Sequence, residues 1–208
     1  MKEKMRIWTI AGLILGVALS AASGALMNES FETPAVEGAQ SPAGTVPDNW
    51  NAEGTLGNLY LDREDLWSPF PDGLQFVQLG PDLTLWQNTG LIMQEGVTYT
   101  LSFEATTYDN WITDNVLAYM YAADASDQKG SLIESFADHV DNTASPSYHY
   151  WKHEDFSYVC DATNAGKYLT VAFGGTANWS GYDKVVLVPE PLTVGFLALG
   201  LIAQRRRA

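Results

Sequence analysis

The chain has 208 residues, 46% of them apolar and 17% charged. That composition belongs to a folded domain and excludes an intrinsically disordered one. The formal net charge is -14. Between residues 26 and 188, 23 acids face five bases (Arg63, Lys129, Lys152, Lys167 and Lys184), so the middle of the chain carries a net charge near -18. Such a field repels phosphate backbones and argues against nucleic acid as a partner. It suits neutral glycans, cations, or solubility alone.

The first element is a targeting segment. Lys2, Lys4 and Arg6 precede an apolar run from Ile7 to Leu19, followed by Ser20, Ala21, Ala22, Ser23, Gly24 and Ala25. Charged, apolar and small residues in that order predict a secretory signal helix over residues 1–25, with cleavage after Ala25 or after Ala22.

From residue 26 to 188 the pattern is period two. Val97, Tyr99, Leu101, Phe103 and Ala105 alternate with Thr98, Thr100, Ser102 and Glu104. A strand with one buried and one wet face gives this alternation; a helix does not. Strands are predicted over residues 74–79 and 83–87, flanking a Gly80-Pro81-Asp82 turn, then over 97–105, 115–123, 131–140, 150–160, 167–173 and 184–188. Asp161 to Gly166 reads as a turn. Short strands separated by Pro, Gly, Asn and Asp predict an all-β fold, an antiparallel β-sandwich of the jelly-roll kind. The lone Cys160 permits no intrachain disulfide and reads as a small buried hydrophobe.

Asn28-Glu-Ser-Phe31-Glu32, Pro47-Asp-Asn-Trp50, Leu85-Trp-Gln87, Tyr99 to Phe103 and Tyr182-Asp183-Lys-Val-Val-Leu187 follow one another in an order that resembles galactose-binding-like jelly rolls, including carbohydrate-binding modules. The resemblance implies an opening strand at Asn28–Glu32 near a closing strand that begins at Asp183. It also implies a structural Ca²⁺ where the two meet, with Glu32 and Asp183 as ligands. Calcium takes six to eight hard oxygen donors, and backbone carbonyls can complete such a set. Lys184 stands where the family pattern carries Asp or Asn.

The last element runs from Pro189-Glu190-Pro191 through an apolar stretch, Leu192 to Ala203, to Arg205-Arg206-Arg207. The stretch is short for a bilayer span of about 20 residues, but tilting and snorkelling arginines can extend its reach. A transmembrane sorting helix is expected over residues 189–208. The tripartite ending resembles the PEP-CTERM sorting signal. That resemblance implies recognition by an exosortase-type processing protease, transient anchoring in the inner membrane, and delivery to the cell envelope, the cell surface or an exopolysaccharide matrix.

Sugar recognition by a sandwich uses exposed aromatic rings beside amides and carboxylates. Trp67, Trp111, Trp151 and Trp179 lie in or beside polar, loop-like stretches and are the expected ligand-binding residues; Trp50 and Trp86 read as packing residues. His149 and His153, four apart, have helical zinc spacing, but along a strand they stand about 13 Å apart and cannot share an ion. There is no Gly-x-Ser-x-Gly elbow, phosphate loop, dinucleotide fingerprint or His-Glu-x-x-His. The acids are too many for any carboxylate pair to stand out. The expectation is a non-catalytic protein with no catalytic residues: either a carbohydrate-binding module with a polysaccharide ligand, or a structural or adhesive surface protein without one.

Overall fold

A computed structural model describes residues 26–63, 69–107, 115–140, 150–175 and 179–190. The signal segment, the apolar tail with Pro191 and Arg205, Arg206 and Arg207, and both Trp67 and Trp111 lie outside the described residues. Among the described residues no helix is long and apolar enough to cross a membrane.

The strands are β1 (Asn51–Gly54), β2 (Leu59–Asp62), β3 (Phe76–Leu79), β4 (Leu83–Ile92), β5 (Thr98–Thr107), β6 (Asn115–Ala123), β7 (Ser131–His139), β8 (Lys152–Val159), β9 (Tyr168–Gly174) and β10 (Ser180–Glu190). They form a β-sandwich of two five-stranded antiparallel sheets. The front sheet has the order β1-β4-β9-β6-β7 and the back sheet β2-β3-β10-β5-β8. The eight predicted strands are present. Two were not foreseen, β1 and β2, whose four residues apiece include Asn, Gly and Asp, poor strand formers. They are joined by a short 3-10 turn, Leu56–Asn58, that carries the chain from one sheet to the other.

The alternation in β5 sends Tyr99, Leu101, Phe103 and Ala105 into the core, where Val116, Ala118 and Met120 of β6 and Leu169, Val171 and Phe173 of β9 meet them. Each leucine, valine, phenylalanine and methionine among them contributes about 1.5–3 kcal/mol when fully buried. The sheets are also tied by a polar link. The Tyr182 phenol on β10 accepts from the Leu117 N–H at 2.9 Å and donates to the Gly174 carbonyl at 2.8 Å, both across the sandwich. Burial pushes this phenol well above its ordinary range, so it stays a neutral donor.

The opening motif is not a strand. Asn28 and Phe31 have φ of 55° and 57°, and the Asn28 side chain bonds Thr33 N, Thr33 O and Asp48 O. Those bonds favour a turn over a ladder, and the turn inserts Phe31 against Trp50 in the core. At the far end of the chain, β10 continues through Pro189 and Glu190, paired with Tyr99 and Thr98, before the tail begins.

Edge strands β7 and β8 lie on the same side of the sandwich. Lys152 of β8 bridges them, 2.5 Å from Asp138 of β7 and 2.6 Å from the buried Glu154. Its ammonium and the Lys152 and His139 hydrogen bonds hold the Asp138 carboxyl below its usual range, while burial raises that of Glu154. Lys152→Met therefore strands a buried carboxylate and is expected to cost about 2 kcal/mol. Chemical denaturation at neutral pH checks this; a change under about 0.5 kcal/mol would mean that the clamp is ornamental.

Candidate functional site

The front sheet's outer face is built by register. Asn51, Trp86, Ala172, Tyr119 and Ser135 form one row across β1, β4, β9, β6 and β7. Their chain neighbours Leu85, Ala118 and Phe173 point into the core, so this row faces outward. Asn88, Thr170 and Tyr121 form the adjoining row on one side, and Glu53, Thr84, Gly174 and Leu117 that on the other. The middle strand β9 presents a floor of small residues, Thr170, Ala172 and Gly174. Trp86 stands on one side of it, and Tyr119 and Tyr121, 6.1 Å apart, on the other. Small residues thus lie between Trp86 and the two tyrosines, and the Tyr119 ring sits over Gly174, 3.1 Å from where a Cβ would be.

This face is nonetheless shielded. Thr170 and Ala172 are 0% exposed and Trp86 8%. The segment from Asp124 to Gly130 leaves β6 and folds back over the sheet: Asn88 Nδ2 donates to the carbonyls of Ala125 and Gln128, and Thr170 Oγ1 donates to that of Gln128. Lys129 then pairs with Glu53 on β1 while its ammonium lies 5.3 Å from the centre of the Tyr121 ring. On this face the Trp86 indole N–H is buried without a hydrogen-bond partner among the described residues. Burial raises the Tyr119 and Tyr121 phenols, the latter also through the Glu53 charge, so both remain neutral.

Of the expected tryptophans, the two that are described, Trp151 and Trp179, lie elsewhere. Trp151 meets Phe76 edge-on at 5.1 Å, with Phe70 on the same phenyl ring at 6.0 Å, an aromatic layer over the back sheet. Trp179 rests on Tyr60 at 5.4 Å. Both rings are half-buried, and neither shares the Trp86 face. Trp86 and its tyrosines escaped the sequence reading because the alternation of Leu85, Trp86 and Gln87 does not tell which side of the strand is covered. The signal that could have found them is the alternation of Tyr119 and Tyr121 with Ala118, Met120 and Ala122, which sets an aromatic stripe opposite an apolar one.

The two acids expected to hold calcium do converge on one segment. Glu32 Oε1 accepts from Leu74 N at 2.8 Å and Gln75 N at 3.0 Å. Asp183 Oδ2 accepts from Asp72 N at 3.0 Å and its Oδ1 from Lys184 N at 2.7 Å. Gly73, at φ 64°, admits the Glu32 carboxylate where any Cβ would lie 2.1 Å from its oxygen. A register shift between Asp183 and Val186 turns Val185 into the core and ties its N–H to the Glu29 carbonyl at 3.0 Å. The segment around Glu29 and β10 therefore meet at this point. Asp183 is 0% exposed, and burial, with the charges of Asp72 and Glu32 nearby, pushes its carboxyl up to about 8. Among the described residues no group of three or more His, Cys, Asp and Glu is arranged to hold a metal. Carboxylate oxygens are the donor type that calcium takes, but Glu32 Oε1 and both Asp183 oxygens already accept main-chain N–H groups here.

No protein-family model matches the chain, nor does any curated protein. Solved structures do. A cyclase from Fischerella sp. TAU superposes with a TM-score of 0.61 at 13% identity, over 80% of this chain and 96% of that one. The same enzyme in complex with 4-(1H-indol-3-yl)butan-2-one gives 0.58 at 13%, with coverage of 80% and 96%. TmCBM61 in complex with β-1,4-galactotriose gives 0.50 at 19%, over 80% and 99%. At these identities the likeness is one of fold. It overturns the expectation of a non-catalytic protein: that expectation rested on fold type and missing motifs, and the same sandwich serves a cyclase.

Proposed function

We propose that this protein is exported, sorted to the envelope through its PEP-CTERM-like tail, and binds a neutral polysaccharide at the cell surface or in the surrounding matrix, on the outer face of the front sheet. The observation that carries the glycan reading is the grouping of Trp86, Tyr119 and Tyr121 around small residues on one sheet face, with a buried indole N–H that has no acceptor among the described residues. A pyranose ring offers an apolar face to the aromatics and a hydroxyl oxygen to that N–H. The kinship in fold with a module seen holding a galactotriose lends support. The acidic surface favours a neutral glycan over an anionic one.

The test is binding to a panel of neutral and acidic polysaccharides. Trp86→Phe keeps the packing and removes the donor; it is expected to weaken binding roughly tenfold, about 1.4 kcal/mol. No binding across the panel by the folded protein would transfer the reading to a structural or adhesive role. For the export route, the expected result is loss of residues beyond Glu190 in cells with an exosortase-type protease and retention of the tail in cells without one; intact mass decides. We further propose a structural Ca²⁺ between Glu32 and Asp183, completed by main-chain carbonyls.

A further inference from the structure

The cover over the front sheet has a mechanical form. Its backbone is tied at Asn88 of β4 and Thr170 of β9. Its lysine then reaches Glu53, which stands opposite Thr84 of β4. Trp86 lies two residues from Asn88 and two from Thr84, beneath the line between the two attachments. From β6 to β1 the sheet is three strand spacings wide, about 14 Å, yet the Lys129 ammonium touches both Glu53 and the Tyr121 ring. The pair thus spans the aromatic face from β6 to β1. The side chains of Lys129 and Glu53 are 24% and 51% exposed. A pair so open to water is screened by salt and weak, while the unpartnered indole N–H beneath it gains from an acceptor.

We infer that the Lys129–Glu53 pair is a releasable strap, and that Trp86 meets ligand when the strap is open. The inference rests on the reading of this face as the glycan site for what enters, and on geometry alone for the strap. A site open for a fraction of the time binds with its affinity reduced by that fraction, so removing one partner of the pair strengthens binding.

The experiment compares the wild-type chain with Glu53→Gln, each with and without Trp86→Phe, by acrylamide quenching of tryptophan fluorescence and by binding to a neutral β-1,4-galactan. The Trp86→Phe pair isolates the contribution of residue 86, and thermal unfolding verifies that all four proteins fold. The expected result is a severalfold rise in quenching of Trp86 in Glu53→Gln, mimicked in wild type by 0.5–1 M salt (about a 3–4 Å screening length), with galactan affinity raised by a similar factor. Raised quenching with no galactan bound by any variant upholds the strap and removes the glycan reading. Unchanged quenching of Trp86 in both Glu53→Gln and high salt overturns the strap, whether or not galactan binds.

Discussion

In chelator, the protein is expected to lose stability steadily as pH rises from about 4 to about 8, and to level off above. Asp183 is the cause. Its carboxyl is raised from 3.8 to about 8 in the folded state, chiefly by burial and then by the charges of Asp72 and Glu32. Between those values the unfolded chain has released this proton and the folded one holds it. Unfolding therefore releases a proton, and each rise in pH favours the unfolded state, by at most about 1.4 kcal/mol per unit. The shift persists although two N–H groups that bond the carboxylate oppose it, so over about four pH units the loss is at most about 5–6 kcal/mol. Calcium reverses the trend if it binds here: an ion stabilises the carboxylate, flattens the profile and adds about 2.7 kcal/mol at a hundredfold excess over its Kd. Urea midpoints at half-unit pH steps, with EGTA and with calcium, measure both. A flat EGTA profile would remove Asp183 as a buried acid, and identical profiles with and without calcium would remove the ion.

Gly175→Ala is expected to be the most damaging single methyl in the described structure, at about 3–4 kcal/mol. A Cβ at residue 175 would lie 1.7 Å from the Gly80 carbonyl oxygen and 2.6 Å from its carbon. Both atoms are backbone, and the Gly175 N–H is held by the Leu83 carbonyl at 2.9 Å. The crowding passes from one sheet to the other, because Gly80 follows β3 and Gly175 follows β9. Gly80 itself has the Trp179 ring 3.0 Å from where its own Cβ would be. Trp179 thus caps a backbone crossing, which binds its indole to the fold. Gly38→Ala, with nothing within 4 Å of the added carbon, is the matched control and should shift stability by less than about 0.5 kcal/mol. Denaturant midpoints for the two variants decide; equal effects would mean that the crossing yields easily.

The β-sandwich was legible because its evidence is local. Alternation in Val97–Ala105 and in Asn115–Ala123 states which residues share a side, and Gly, Pro and Asn mark where strands end. The convergence of Glu32 and Asp183 on residues 72–75 was reached through the resemblance of the two motifs, and Glu29 does bond Val185 at the register shift in β10. The acidic surface follows from counting. Strands of four residues, such as β1 and β2, hold too little pattern to be seen, and the turn at Asn28–Phe31 depended on one side chain bonding three backbone groups.

Which outer face carries aromatics, and what lies over it, was decided by tertiary structure. Period two sorts residues into two sides and says nothing of whether a side meets water, a loop or another sheet. Trp86 looked like packing and Trp151 like a platform. In the fold, Trp151 packs edge-on against Phe76 of the back sheet, and Trp86 is buried, as a packing residue is, on a face that a neighbouring loop crosses. Lys129 and Glu53 are 76 residues apart in the chain. The sequence alone determined an acidic, all-β domain, because those are properties of neighbours and of sums. The aromatic face, the loop tied across it and the buried acid depend on pairings between distant residues, and those exist once the two sheets have closed on each other.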